Sequence, residues 1–412
     1  MTSEWHEVPL RELVGYISKG IAPSYAEEAS ETTIRVLNQK CNRNFRISYG
    51  DSRLHDTLKK KVPPERYIKP DDILINSTGA GTAGRIAQIE DVPSATTIDG
   101  HMTLIRSNGK VTQKFLGYAL KAHQWEVLQL DEGSTGQTEL NRDRLLDEIM
   151  INYPVSFDEQ NAIVGTLESI DRKLIVNEQL NDNLQQQLTA IYKSWYQDFS
   201  LVNDTELVET AYGTIPKEWH YVLLGDLCQS ISVTHKFDKN ALIFLNTGDV
   251  EDGRFLHSNL MAVKEMPGQA KKTIAPGDIL YSEIRPINRH FAYVNFPSDN
   301  YVVSTKLMVI RAKNFDTRRL YHYLTSENVL NELQLQAESR SGTFPQIRFE
   351  NVSKLPILIA DEQTESEFVK ILHTVFDQIE QLNRENKQLS ELRDTLLPKL
   401  MSGEIDVSDI QL

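Results

Sequence analysis

The sequence is poor in cysteine, with only Cys41 and Cys228 among 412 residues, and the two lie far apart. This number and spacing match neither a disulfide framework nor a zinc site, so two inert thiols in a reducing cytoplasm are expected. No apolar run approaches the roughly 20 residues that a bilayer-spanning helix needs. The first residues also lack the basic and apolar regions of a secretory signal. We therefore expect a folded cytoplasmic protein with no membrane partner.

Sequence signatures of catalysis are missing as well. No GxxxxGK[ST] phosphate loop occurs, and the ten histidines show no HExxH or other paired ligand spacing. Gly79, Gly81 and Gly84 do form a GxGxxG pattern, but residues 85–89 after it alternate like a strand. A dinucleotide site needs a helix at that point. The glycines therefore predict a flexible turn.

One further pattern faintly resembles a nuclease metal site, with Asp278 and Glu283 followed by a basic residue. That residue is Arg285, where such sites generally have lysine, and we favour a solvated strand end. The sequence predicts a non-catalytic chain with no catalytic residues and no metal site.

The charge is unevenly distributed along the chain, whose net charge is −14. Residues 156–200 hold 3 basic and 7 acidic side chains, and residues 359–412 hold 5 and 12. The remaining segments are close to neutral. An acidic total alone argues against a nucleic-acid partner, but this distribution leaves the neutral segments free to carry a local basic face.

An internal repeat organises the sequence. Five landmarks recur in the same order, the last four at offsets of 203–206 residues. They are WHEVPLREL at 5–13 with WHYVLLGDL at 219–227, IKPDDIL at 68–74 with IAPGDIL at 274–280, LIR at 104–106 with VIR at 309–311, Gly136 with Gly342, and DEQ at 158–160 with 361–363. This period is much longer than that of a solenoid and indicates domain duplication.

The predicted fold is mixed α/β, with an α+β-like arrangement. Short β-rich runs at 72–76 and 301–310 alternate with turn residues, and helical stretches follow around 114–130 and 317–336. We expect globular domains at 1–157 and 201–360, long helices at 158–200 and 361–402, and a tail at 403–412. Gly213 and Pro216 predict a joint before the second domain.

The two long segments carry apolar stripes at helical spacing, which predicts that they pair as an antiparallel coiled coil. The seam and partner positions are Leu167, Leu174, Leu184, Leu188, Val375, Ile379, Leu382 and Leu389. Asn177 and Asn386 interrupt the stripes, as register-fixing residues or as partly solvated seam positions. Pro398 predicts a bend or a stop.

Four local motifs resemble the specificity subunits (HsdS) of type I restriction–modification enzymes. They are PVSFDEQ at 154–160, AIYKSWYQDF at 190–199, GTIPKEW at 213–219 and LRDTLLPKLMSGEI at 392–405. The second DEQ lacks the fuller pattern of the first. With the duplication, the resemblance covers nearly the whole chain.

The resemblance implies that each globular domain is a target-recognition domain reading one half of a split double-stranded DNA target, in a system that methylates DNA and defends against foreign DNA. The helices would space the two domains and dock two methyltransferase (modification) subunits. Restriction/translocase subunits would complete the complex. S-adenosylmethionine and ATP would belong to those partner subunits, so no cofactor is expected on this chain.

Candidate DNA-binding residues are basic and amide side chains that suit phosphate anchoring and base-edge readout. They are Lys40, Arg43, Arg46, Lys59, Lys60, Lys61 and Arg85 in the first half, and Lys264, Lys271, Lys272, Arg285, Asn288 and Arg289 in the second. Gln137 and Gln346 are weaker candidates. The alternative for each cluster is ordinary solvated charge.

Two other functions remain open at this point. A coiled-coil adaptor could bind proteins through its globular heads, or an enzyme could use an unrecognised site, for example as a stand-alone nuclease. The helix pair fits an adaptor as well as a specificity subunit, whereas the local basic stretch favours DNA.

Overall fold

The computed structural model describes residues 4–79, 81–132, 139–201, 206–340 and 345–407. Contacts between backbone segments divide the chain into two compact units. Unit 1 comprises residues 1–178 and 383–412, and unit 2 comprises residues 179–382. Gly136, Gln137 and Gly342 lie outside the described residues.

Unit 1 consists of short strands followed by helices. Its strands are β1 (Trp5–Pro9), β2 (Val14–Lys19), β3 (Tyr25–Ala26), β4 (Thr33–Leu37), β5 (Asn42–Arg43), β6 (Arg46–Ile47), β7 (Arg53–Asp56), β8 (Ile73–Asn76), β9 (Ile86–Gln88), β10 (Thr96–Ile98), β11 (Met102–Ser107), β12 (Asp131–Glu132), β13 (Glu139–Leu140) and β14 (Met150–Pro154). Its short helices are α1 (Gln113–Ala122), α2 (Gln124–Leu128) and α3 (Arg142–Glu148). The first long helix, α4 (Phe157–Tyr196), follows them.

Two four-stranded sheets form the frame of unit 1, in the orders β10-β4-β7-β3 and β2-β11-β8-β9. Strands β4 and β10 run parallel, whereas the pairs in the second sheet are antiparallel. Strand β1 pairs with β14 just before α4. One core cluster joins the second sheet to α1, α3 and the start of α4.

Unit 2 repeats this arrangement. Its strands are β15 (Leu207–Thr210), β16 (Gly213–Pro216), β17 (His220–Leu223), β18 (Cys228–Ile231), β19 (Ala241–Leu245), β20 (Val250–Glu251), β21 (Arg254–Phe255), β22 (Leu260–Ala262), β23 (Ala270–Lys272), β24 (Ile279–Ser282), β25 (Phe291–Tyr293), β26 (Tyr301–Ser304), β27 (Leu307–Ala312) and β28 (Pro356–Ile359). Its helices are α5 (Leu224–Leu227), α6 (Thr317–Leu324), α7 (Glu327–Arg340) and α8 (Phe349–Ser353), before the second long helix, α9 (Glu362–Met401).

One sheet of unit 2 corresponds strand by strand to a sheet of unit 1. In the other sheet the parallel strand pair is repeated, but β10 is an edge strand whereas β26 also pairs with β23. The order β18-β27-β24-β25 matches β2-β11-β8-β9, and in β22-β19-β26-β23 the central pair β19 and β26 is parallel, as β4 and β10 are. Strand β17 pairs with β28 as β1 pairs with β14. The duplication and the mixed α/β architecture are thereby confirmed.

The repeated landmarks of the sequence contact one another inside each unit. Asp72 accepts two hydrogen bonds from Arg106, both at 2.7 Å, and Asp278 accepts two from Arg311, at 2.6 and 2.9 Å. Asp278 is fully buried. The hypothesis of a solvated strand end at Asp278 is therefore wrong, because this carboxylate forms a bidentate ion pair inside the frame.

A second pair of landmarks joins the start of each repeat to its long helix. The indole Nε1 of Trp5 donates to Glu159 at 3.2 Å, and that of Trp219 donates to Asp361 at 3.1 Å. Each carboxylate lies at the N-terminus of a 40-residue helix, where negative charge is favourable.

The long helices pack against each other within each unit. In unit 1, α4 and α9 contact through the buried Asn177 with Asn386, and through Asp171 with Arg393. In unit 2, Tyr192 and Tyr196 of α4 pack on Phe368 of α9. Residue numbers rise along one helix as they fall along the other, so the pairing is antiparallel. The predicted seam is buried or half-buried at Leu167, Leu174, Leu184, Leu188, Val375, Ile379, Leu382 and Leu389.

Three local expectations differ from the structure. Residues 301–310 form two strands, β26 and β27, that belong to different sheets. The predicted joint before the second domain contains the β15–β16 hairpin. Helix α9 continues through Pro398 to Met401, so this proline lies in the last turn and removes the N–H that would donate to the carbonyl of Asp394 without ending the helix.

Candidate nucleic-acid interface

A tight hairpin presents two of the predicted basic residues of unit 1. Strands β5 and β6 place Arg43 opposite Arg46, and the turn residues Asn44 and Phe45 have φ of 52° and 62°. Two successive positive φ values define a type I′ turn, which is unusual for phenylalanine. The Phe45 ring packs on the core and lies 5.0 Å from the ammonium of Lys121. The packing of the Phe45 ring against the core therefore stabilises the unusual backbone conformation of this turn.

An amide network joins the hairpin to the glycine turn. Asn42 Nδ2 donates to Asn76 Oδ1 at 3.2 Å and to the carbonyl of Arg85 at 2.8 Å, and Asn76 Nδ2 donates to the carbonyl of Gln39 at 3.1 Å. Asn42 and Asn76 are buried. The network brings together the segments that carry the exposed side chains of Lys40, Arg43 and Arg85. We call these three residues the basic rim.

The lysine run at 59–61 lies in another segment, the loop after β7, and all three lysines are exposed. The loop is held by the buried His55, whose ring nitrogens contact Ser24 N at 2.9 Å and the carbonyl of Lys60 at 2.7 Å. Lys60 Nζ donates to the carbonyl of Ala22 at 2.8 Å. These contacts fix the loop, so its lysines have a defined position on the surface.

Unit 2 has a hairpin at the equivalent place, in which Glu251 lies opposite Arg254. The β20–β21 turn contains Asp252 and Gly253, with φ of 46° and 82°, and Glu251 precedes them. Arg289 donates to Asp252 at 2.9 and 3.0 Å and also pairs with Glu327. The cross-strand pair of this hairpin is therefore Arg–Arg in unit 1 and Glu–Arg in unit 2, and the turn of unit 2 adds the acidic Asp252.

The predicted residues of unit 2 fall into two groups. Lys272 is half-buried and its ammonium donates to the carbonyls of Thr305 and Leu307 at 3.0 and 2.8 Å; burial lowers its pKa. The other group comprises the exposed side chains of Lys264, Lys271, Arg285 and Asn288. In unit 1, Arg46 resembles the engaged group, since it pairs with Glu178 at 2.7 Å. The charged and amide groups of the exposed residues can therefore reach a ligand, whereas those of Lys272 and Arg46 are engaged within the chain.

Sequence reasoning overlooked two features of these surfaces. Neither the β5–β6 turn nor the exposed Trp125 beside the glycine turn was predicted. Phenylalanine gives no sequence signal for positive φ. Trp125 occurs alone, and only its exposure in the fold distinguishes it from a core aromatic residue.

Side chains suited to catalysis or metal binding are not clustered in the part of the chain that the structure describes. Within those ranges, no group of three or more His, Cys, Asp or Glu residues is placed to hold a metal ion. Burial raises the pKa of the thiols of Cys41 and Cys228, the latter to about 11, which disfavours the reactive thiolate. Among the described helices, none combines the length and apolarity needed to cross a membrane.

Comparisons with known proteins relate the whole arrangement to one family. The model of the type I restriction modification DNA specificity domain matches residues 2–186 and 216–391, one copy for each repeat. The HindI specificity subunit of Haemophilus influenzae is 44% identical over 184 residues, which are 43% of this chain and 40% of that subunit. The MjaIX specificity subunit of Methanocaldococcus jannaschii is 24% identical over 377 residues, 88% of this chain and 84% of that one.

A solved structure has the same fold. The S subunit of a type I restriction–modification system from M. genitalium superposes with a TM-score of 0.57 at 16% identity, covering 97% of this chain and 96% of that one. Because the family model matches most of the chain in two copies, the chain belongs to the family of type I restriction–modification specificity subunits.

Proposed function

We propose that this chain gives a type I restriction–modification complex its sequence specificity, with each unit reading one half of a bipartite double-stranded DNA target. The observation that carries the proposal is the contrast between a shared frame and different surfaces. Both units keep one sheet of the same order, a parallel strand pair in the other sheet and the same Asp–Arg pair, whereas the equivalent hairpins pair Arg43 with Arg46 in one unit and Glu251 with Arg254 in the other.

The exposed residues divide by chemistry. In unit 1, the basic rim and the lysines at 59–61 would anchor phosphates, and Arg43 at a hairpin tip can also reach a guanine edge. In unit 2, Lys264, Lys271 and Arg285 would bind phosphates, while Asn288 suits an adenine edge. Arg46, Lys272 and Arg289 already have intramolecular partners and would mainly fix the loops that present these residues.

The long helices would space the recognition domains and dock two methyltransferase subunits, with restriction/translocase subunits completing the complex. Each helix has 40 residues and is therefore about 60 Å long. Their acidic segments disfavour binding to phosphates and leave polar faces for protein partners. On this proposal the domains are those at 1–157 and 201–360, the helices those at 158–200 and 361–402.

Chemistry would be supplied by the partners, with S-adenosylmethionine on the modification subunits and ATP on the restriction subunits. This chain would be a non-catalytic cytoplasmic component. Nothing in its buried Asp–Arg pairs or inert thiols provides a reacting group.

Methylome sequencing tests the proposal. A host carrying this chain with its modification subunits should acquire methylation at a split target. Replacing residues 1–157 with the corresponding domain of another family member should change one half of that target and leave the other half intact. An unchanged methylome, or a change in both halves, would contradict the division of labour. Purified complexes that show no salt-sensitive DNA binding would overturn the DNA role itself.

A further inference from the structure

Trp125 is a large apolar residue of unit 1 that the fold leaves in solvent. Its side chain is 74% exposed, on the short helix α2. The chain has four tryptophans, and the other three are packed: Trp219 is buried, Trp5 packs against the core, and Trp195 lies against Phe368. An exposed indole does not stabilise the core, and keeping its apolar surface in contact with water is unfavourable in free energy.

The position of Trp125 is fixed by its neighbour. The side chain of Gln124 accepts from Ile86 N at 2.9 Å and donates to the carbonyl of Gly84 at 2.8 Å. A Cβ at Gly84, whose φ is +83°, would lie 2.9 Å from the carbonyl oxygen of Val127. The glycine turn and α2 are thus in direct contact, and Trp125 stands beside the turn that ends at Arg85.

Unit 2 has an equivalent hydrogen bond between a glutamine on a helix and a loop, made by different residues. Gln334 of α7 accepts from the backbone N–H of Ile287, in the loop equivalent to the glycine turn, at 3.3 Å. The residue after this glutamine is Leu335, which is 67% exposed, and Ile287 itself is 45% exposed. In both units, therefore, a glutamine holds a loop to a helix and the next residue exposes a large apolar side chain.

We propose that Trp125 and Leu335 are apolar DNA contacts, each packing against nucleobases of the half-target read by its own unit. This inference rests on the proposed function. The choice of DNA over a protein follows from the loops that the two glutamines hold. The loop bound by Gln124 contains the exposed Arg85, and the loop bound by Gln334 contains the exposed Arg285 and Asn288. The carboxylate of Glu126, the nearest acid in sequence to Trp125, is hydrogen-bonded to the ring of His123 at 3.0 Å. In a duplex, an apolar side chain reaches a base by inserting between base steps or by contacting a thymine methyl group in the major groove, and arginines beside it bind the phosphates.

Tryptophan fluorescence tests the contact directly, since Trp125 is the tryptophan most open to a quencher. The experiment uses the full chain in complex with its methyltransferase subunits and a duplex bearing the target found by methylome sequencing. We expect acrylamide quenching to fall when the duplex binds. Trp125→Phe should remove the quenchable component without changing binding by more than about twofold, because the ring is retained. Trp125→Ala should weaken binding roughly tenfold or more.

The two units serve as controls for each other. Trp125→Ala should relax base preference in the first half-target only, and Leu335→Ala in the second only, with melting temperatures unchanged because both side chains are exposed. If DNA binds, as followed by the anisotropy of a labelled duplex, while Trp125 stays fully quenchable, the inference is wrong and the proposed function stands. If the methyltransferase subunits alone protect Trp125, the residue belongs to a protein interface and the inference is likewise overturned. A complex that binds no DNA would overturn both proposals.

Discussion

Asn177 and Asn386 form a hydrogen bond in the seam between the long helices, with Nδ2 of Asn177 lying 2.9 Å from Oδ1 of Asn386. The same Nδ2 lies 2.8 Å from Glu385, and the Asn177 side chain is fully buried. Of the two roles open from the sequence, a partly solvated seam position is therefore excluded for Asn177. An asparagine pair in a helical seam favours one register over its neighbours.

Removing one asparagine should cost more than removing both. Asn177→Leu alone leaves the Asn386 side-chain oxygen without its donor in the seam, and Asn386→Leu alone removes an acceptor of the Asn177 amide, so each single change should cost about 1–3 kcal/mol. Asn177→Leu with Asn386→Leu should be near neutral or stabilising but less specific in register. Melting temperatures of the two single variants and the double variant measure the coupling. Asn183→Ala, an exposed position on the same helix, is the control. Equal destabilisation by the single and double changes would contradict this account.

The Asp278–Arg311 pair should be more important to stability than a surface pair. Asp278→Ala removes the acceptor of the Arg311 guanidinium and of the Ala275 N–H, which donates at 2.7 Å. Because the Arg311 side chain is 41% exposed and remains partly hydrated, we expect a cost of about 1–3 kcal/mol. The matched control is Lys217→Ala in the exposed Lys217–Glu206 pair, with an expected loss of less than about 1 kcal/mol. Thermal unfolding measures both. A small effect of Asp278→Ala, or stabilisation of the native chain by Mg²⁺, would instead favour a metal-binding role for this carboxylate.

The lysines at 59–61 should contribute to affinity without contributing to specificity. Changing Lys59, Lys60 and Lys61 together to alanine should weaken binding to all duplexes alike. The slope of log K against log salt should flatten by up to about 2.7, because each phosphate that a lysine neutralises adds about 0.9 to that slope. Salt titrations by anisotropy measure it, with Lys110→Ala, an exposed lysine paired with Glu12, as the control. If the slope stays the same, these lysines are surface charge only.

Arg285 and Arg289 should separate in their effects although they lie four residues apart. Arg285 is exposed, so Arg285→Ala should lower the salt slope by about 1 and leave the melting temperature unchanged. Arg289 pairs with Asp252 and Glu327, so Arg289→Ala should lower the melting temperature and leave the slope nearly unchanged. The reverse pattern would make Arg289 the DNA ligand.

His322 should make unit 2 sensitive to acid. Burial and the charge of Arg319 lower its pKa from 6.5 to about 3. The unfolded state therefore binds a proton between these values that the native state does not, and stability falls as pH drops below 6.5 towards 3. At about pH 4.5 the loss amounts to roughly 2–3 kcal/mol. His322→Phe should remove this part of the pH dependence, measured by denaturation of both proteins across the range. Parallel pH profiles would show that His322 does not titrate in this way.

The repeat, the order of domains and helices, and the seam of the long helices could be predicted from the sequence, because helical periodicity and recurring local motifs depend on near neighbours. The exchange of strands between two sheets at residues 301–312 could not, since neighbouring apolar strands have the same pattern whichever sheet they join. The same holds for Asp278, whose burial depends on Arg311, a residue 33 positions away.

The candidate DNA-binding surfaces also combine features that could be predicted from the sequence with features that depend on the tertiary structure. The sequence supplied the basic and amide residues, because charge is a property of the side chain alone. Only the tertiary structure decided which charges are exposed at Lys40, Arg43 and Arg85 and which are occupied at Lys272 and Arg289, because the partners come from distant segments. It also placed Trp125 in solvent beside the glycine turn. Burial is a property of the packed chain, and a lone tryptophan in a sequence carries no record of it.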